Sequence, residues 1–142
     1  MAALGRVAPP LALIGRFAPP LGLMALIYAL SAQPDLNSGL GWIDLVGRKA
    51  VHMAEYGLLF VLWWRAFRWR APLAAALIAV GYAATDEVHQ LSVHGRVGSP
   101  RDVAIDAAGV ALAWLLAGAV RQRRRRAASA AARSPERTAP SM

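Results

Sequence analysis

The sequence predicts an all-α, polytopic membrane bundle of about four transmembrane helices. Three observations carry that prediction. The 142 residues are 57% hydrophobic and only 17% charged, whereas a soluble domain of this size holds about a quarter charged residues. The apolar residues fall into four stretches near the roughly 20 residues that a membrane span requires. The charge is not dispersed but gathered into short arginine-rich clusters between those stretches.

The first stretch ends in the run Leu21 to Ala32 and reaches back as far as Leu11, with Pro19 and Pro20 inside it. Proline suits the first turn of a helix, so the regular helix is expected to begin at Pro20. The second runs from about Val46 to Phe67, the third from Pro72 to Leu91 and the fourth from Val103 to Val120. Beyond Ala127 the chain is mostly Ala, Ser, Arg and Pro, with little to bury, and reads as disordered. The resulting organisation is a basic, proline-rich segment over 1–19, a membrane domain over 20–120 and a basic cytoplasmic tail over 121–142. Ala8-Pro9-Pro10-Leu11 recurs as Ala18-Pro19-Pro20-Leu21, too briefly to define a repeat architecture. A rival reading makes the first stretch a cleaved signal peptide, with Arg6 and Arg16 as its basic region and Ala29-Leu30-Ser31 as the small-residue site.

Lys and Arg mark the cytoplasmic side of membrane proteins. Arg6 and Arg16 precede span one, Arg65, Arg68 and Arg70 join spans two and three, and Arg121 with Arg123 to Arg126 follow span four. All three regions share one side of a four-span protein, which places both termini in the cytoplasm and the chain in the cytoplasmic (inner) membrane. The net charge of +8 is then a membrane signal: an arginine run directly after an apolar helix meets anionic lipid, and nucleic acid is not the expected partner. The absence of cysteine excludes disulfides, thiolate metal sites and a cysteine nucleophile.

Ionisable groups inside spans are costly unless paired or hydrated, which makes them functional candidates. Lys49 precedes His52, Glu55 and Tyr56, whose spacing puts the last three on one helical face. Asp86, His89 and Gln90 share a face near the end of span three, with Glu87 turned about 100° away. Asp102 and Asp106 open span four, with Gly109 about one turn on. At 1.5 Å per residue, Glu55 and Asp86 lie roughly 10 Å from their helix ends and Asp106 slightly less. All three ends face the same side, so these faces can meet in one polar pocket in the outer half of the bilayer. Arg96, in the loop His94 to Gly98, can fold over that pocket and neutralise carboxylates. The same groups also suit a plainer role, holding helices together through hydrogen bonds of about 1 kcal/mol each. His52 and Glu55 form a His-x-x-Glu spacing, weak evidence for a metal, and a buried carboxylate can serve as a general acid or base. No nucleophile triad, phosphate loop or dinucleotide fingerprint is present. The five tryptophans mostly suit interfacial belt positions.

Taken together these residues resemble the VanZ-like family of small bacterial membrane proteins. Ser31-Ala32-Gln33-Pro34 is similar to the end of that family's first helix. Lys49, His52, Glu55 and Tyr56 resemble its second-helix motif. Asp86-Glu87-Val88-His89-Gln90 resembles its most recognisable element, and Gly95-Arg96 with Asp102, Asp106 and Gly109 resembles its loop and fourth helix. The resemblance covers about residues 20 to 120 and implies a retained first helix. One departure is Asp106, where the family pattern leads one to expect asparagine. The family takes its name from a protein that gives low-level resistance to teicoplanin, without an established reaction.

Three functions follow as expectations. The first is a VanZ-like protein whose outer-leaflet pocket (Lys49, His52, Glu55, Tyr56, Asp86, Glu87, Gln90, Arg96, Asp102 and Asp106) binds a membrane lipid headgroup or a lipid-linked cell-wall precursor. The second is an intramembrane lipid hydrolase or transferase with His52 and Glu55 as acid–base groups. The third is a structural assembly protein. Neither cofactor, metal nor oligomeric state is legible.

Overall fold

A computed structural model describes residues 9–33, 41–93 and 98–133. Those residues form four helices, α1 (Pro9–Ser31), α2 (Trp42–Ala66), α3 (Pro72–Gln90) and α4 (Pro100–Arg133), with no strand among them. The all-α expectation holds. α2 and α3 lie at the centre: each packs against α1 and α4, while α1 and α4 do not pack against each other.

α1 departs from expectation. It begins at Pro9 and carries Pro19 and Pro20 in its interior. A proline there removes an N–H and crowds the carbonyl four residues back, which membrane helices tolerate where neighbours restore the lost contacts. Pro20 is in fact buried, and one turn earlier the Arg16 guanidinium donates through Nε (3.1 Å) and Nη2 (2.5 Å) to the carbonyl of Ala66, the last residue of α2. That carbonyl has no partner within its own helix, so a cation caps the negative end of α2.

α2 and α3 form an antiparallel hairpin whose connection contains two left-handed non-glycine residues, Arg68 (φ 56°) and Trp69 (φ 63°). That conformation is disfavoured for a side chain of either kind. It is held by the Trp69 amide donating to the Trp64 carbonyl at 2.8 Å, by the edge-on contact of Trp69 with Trp64 at 5.3 Å, and by Arg121 of α4. The Arg121 guanidinium lies 4.8 Å from the Trp64 ring and 5.5 Å from that of Trp69. α3 then starts with proline at its first turn, where no N–H is missed.

The core is built from Ile27, Tyr56, Leu59, Phe60, Trp64 and a stripe of small residues on α3, Ala75, Ala79 and Ala83, spaced four apart. Small residues let membrane helices approach closely. The closest approach is between α2 and α4: a Cβ on Gly109 would collide with the backbone of Met53, and one on Gly57 would stand 3.1 Å from the Gly109 carbonyl oxygen. Trp64 is buried and Trp114 stacks on Phe60 at 5.7 Å, so these two tryptophans serve the core rather than an interfacial belt.

α4 continues well past Val120, to Arg133. Residues 127–133 are therefore helical, against the disorder expected of them. Ala127, Ala128, Ala130, Ala131 and Ala132 explain the difference, since alanine has the highest helix propensity and needs no packing to express it. Residues 134–142 lie outside the described segments.

Large apolar side chains stand outward on every helix, among them Leu26, Leu58, Leu77 and Leu115, the last 72% exposed. Soluble monomers do not present apolar surface on all sides. By length and composition two helices can cross a membrane, α1 over Leu11–Ser31 and α4. α2 and α3 carry ionisable residues within their apolar stretches, as does the start of α4.

Candidate functional site

At the end of the bundle opposite Arg121, all four helices contribute a polar residue to one cluster. Its centre is Asp86, 3% exposed. Its Oδ2 accepts a hydrogen bond from Ser31 Oγ of α1 at 2.8 Å and another from Gln90 Nε2, one turn along α3, at 3.0 Å. Two donors on one carboxylate oxygen are what a buried charge requires. The other oxygen, Oδ1, accepts no hydrogen bond of full geometry among the described residues, and the buried Tyr56 hydroxyl lies beside Asp86, close enough to interact with its carboxylate and to feel the charge of Asp106.

A second set of contacts ties α2 to α4. Lys49 Nζ donates to Asp102 Oδ1. One turn deeper, His52 Nδ1 stands 3.8 Å from Asp106 Oδ1, an ion-pair distance if the imidazole is protonated. Asp106 is 1% exposed, and its Oδ2 is unpartnered. Glu87 points towards the start of α4, where its Oε2 accepts the Ser99 amide at 2.8 Å. Asp106 feels the charges of Glu87, Asp102 and Asp86, and Glu55 feels that of Asp86. Each of these five carboxylates thus lies within electrostatic reach of at least one other.

These groups surround a cleft of about 580 Å³, lined by Ser31, Lys49, His52, Glu55, Glu87, Gln90, Asp102 and Asp106, with Asp44 and Arg48 nearer the start of α2. Its lining holds five carboxylates against two cations, Arg48 and Lys49, and one histidine. The flank between α1 and α2 is apolar and open: Leu30, Ile43, Leu45 and Val51 line it and are each about half exposed. Among the described residues no three His, Asp or Glu groups converge closely enough to hold a metal ion.

The geometry sorts the residues singled out from sequence. Lys49, His52, Glu55, Glu87, Gln90, Asp102 and Asp106 line the cleft, while Asp86 sits behind Ser31 and Gln90. Tyr56 belongs to the core beneath it, fully buried. Glu87, expected to point away from Asp86, lines the same cleft, because the start of α4 supplies an amide for it. His89 turns outward to α1, stacked on Tyr28 with ring centroids 4.2 Å apart. Arg96 lies outside the described residues. Sequence reasoning missed Ser31 as a site residue. Its signal was a lone hydroxyl closing an apolar run. Gly57, the partner of Gly109, was also missed, and only its helical phase relative to Tyr56 hinted at it.

A helical bundle with large apolar side chains outward on every helix, two of its helices long and apolar enough to cross a bilayer, has the make-up of a membrane protein. The VanZ/LLP1 family model matches residues 10–121, and the chain belongs to that family. No curated protein and no solved structure matches it.

Proposed function

We propose that this protein spans the cytoplasmic membrane four times, with both termini inside, and that its cleft opens on the outer leaflet to bind the headgroup of an envelope lipid or lipid-linked wall precursor. One observation carries the reading: a polar cleft of about 580 Å³ meets an open apolar flank between α1 and α2. A headgroup fits the first while acyl chains leave across the second. Outward leucines on α2 and α3 as well as on α1 and α4 support four spans. So does the position of the ionisable residues of α2 and α3, mostly turned into the cluster. A link to teicoplanin susceptibility is the phenotype this reading makes worth measuring.

The test is lipid retention by the purified, full-length protein. Gly47 lines the cleft and has open space about it, so Gly47→Trp obstructs the cleft without removing any polar contact. Native mass spectrometry in mild detergent should show lipid adducts on the wild type that fall at least several-fold in Gly47→Trp. Equal retention by both proteins at matched folding would remove the cleft from the reading.

A further inference from the structure

We infer that the deep end of the cleft reads a primary ammonium, so that the preferred ligand is a zwitterionic aminophospholipid rather than an anionic lipid. This rests on the lipid-binding reading above and specifies its ligand.

Charge is graded along the cleft. Arg48 and Lys49 stand on the mouth side, with Lys49 bonded to Asp102. One helical turn deeper no Lys or Arg lines the cleft among the described residues, and His52 is the one basic side chain there. There Asp106 lines the cleft with Oδ2 unpartnered, although the residue is 99% buried. Glu55 also lines the cleft, and Glu87, held by the Ser99 amide at the start of α4, lies within electrostatic reach of Asp106. A buried acceptor without a partner is costly in a membrane interior, so the site is built for a group that donates. The His52 ring faces Asp106 through Oδ1 at 3.8 Å and leaves Oδ2 to another donor.

The chemistry of that donor can be narrowed. A phosphate or carboxylate would be repelled by the surrounding carboxylates. A metal ion lacks its ligand set, since no three such groups converge among the described residues. An ammonium offers three N–H donors and a full positive charge, which matches several carboxylates that do not point at one atom. A quaternary ammonium has the charge but no donor, and would leave Asp106 Oδ2 unsatisfied. The linked phosphate then falls towards Arg48 and Lys49, and the acyl chains cross Leu30, Ile43, Leu45 and Val51, each about half exposed. That apolar flank distinguishes a lipid from a soluble amine.

The experiment titrates the full-length protein, in detergent, with phosphatidylethanolamine, phosphatidylcholine and phosphatidylglycerol separately, and reads affinity by native mass spectrometry. Phosphatidylethanolamine should bind at least about fivefold more tightly than either competitor. Asp106→Asn should bring the three to within about twofold, and Asp106→Glu should keep the preference. Gly47→Trp should weaken all three. Equal binding of phosphatidylcholine, or a preference for phosphatidylglycerol, overturns the ammonium assignment while leaving lipid binding intact. So does an unaltered preference in Asp106→Asn. Binding of millimolar O-phosphoethanolamine without measurable binding of the lipid replaces the lipid with a soluble amine and also overturns it. Failure of all three lipids to respond to Gly47→Trp defeats the lipid-binding reading itself, and this inference with it.

Discussion

Ser31 and Asp86 are 55 positions apart in the chain and 2.8 Å apart in the fold, hydroxyl to carboxylate. The bond fastens the end of α1 to α3 at the cleft wall. Tyr82 makes a second fastening two helical turns away, donating from its hydroxyl to the Met24 carbonyl at 2.7 Å. α1 otherwise packs less extensively on the bundle than α2 packs on α4, so these two bonds, with the Arg16 link to Ala66, help to seat it.

Ser31→Ala removes a donor and leaves Gln90 alone on Asp86 Oδ2. The expected cost is about 1 kcal/mol, the usual size of a hydrogen bond between membrane helices. It should register as a lower unfolding midpoint in detergent. In a double-mutant cycle with Asp86→Asn the two effects should be non-additive, since they share one bond.

The α2–α4 contact gives a graded prediction for three glycines. Gly109→Ala drives a methyl group into the Met53 backbone and should destabilise by several kcal/mol, because two helix backbones must part. Gly57→Ala meets the Gly109 carbonyl at 3.1 Å and Ala113 Cβ at 3.3 Å, and should cost less, about 1–3 kcal/mol as for modest overpacking. Gly81→Ala has open space and should stabilise by roughly 0.5–1 kcal/mol through helix propensity. Guanidinium or SDS unfolding of the three proteins fixes the order. A destabilised Gly81→Ala together with a neutral Gly109→Ala would reverse the packing described.

Lys49 and Asp102 are about one-third and one-quarter exposed, so their pairing sits between a surface and a buried ion pair. Losing Lys49 alone, as in Lys49→Met, should cost about 1–2 kcal/mol, below the 3–5 kcal/mol of a fully buried pair. The exchange Lys49→Asp with Asp102→Lys should recover part of that. Each single exchange should be worse than Lys49→Met, because it sets like charges together in an already acidic cleft. Melting curves in a common detergent separate these cases.

Orientation can be read with single cysteines, since the chain has none. Ser92 is exposed just beyond α3, and Ser129 is exposed on the far part of α4. A membrane-impermeant maleimide on intact cells should label Ser92→Cys and should reach Ser129→Cys only after lysis. The reverse pattern places the cleft in the cytoplasm.

Much of this was legible because membrane helices announce themselves by composition. The limits of α3 and the hairpin after Phe67 follow from apolar length and from Pro72. Lys49, His52, Glu55, Asp86 and Asp106 stood out because each is costly inside a span. Helical phase on one element could not give what depends on a second. Glu87 finds its amide on the start of α4, Gly57 matters only because Gly109 faces it, and Ser31 matters only because α1 ends beside Asp86. The start of α1 was misplaced for a related reason: Pro20 is tolerated mid-helix because it packs in the bundle and Arg16 links α1 to α2.

The spacing between the two ends of the bundle has a mechanical consequence. His52 to Ala66, Pro72 to Asp86 and Asp106 to Arg121 are 14 or 15 residues each, about 21–23 Å along a helix axis. The hydrocarbon of a typical bilayer is about 30 Å thick. Spanning the membrane as proposed, a bundle with so short an apolar length would draw the surrounding leaflets together, at a fraction of a kcal/mol for each ångström of mismatch. Lipids beside α1 and α2 would then already be displaced towards the cleft. The protein should gather where the membrane is thin, and its ligand should bind more tightly in short-chain bilayers than in long-chain ones.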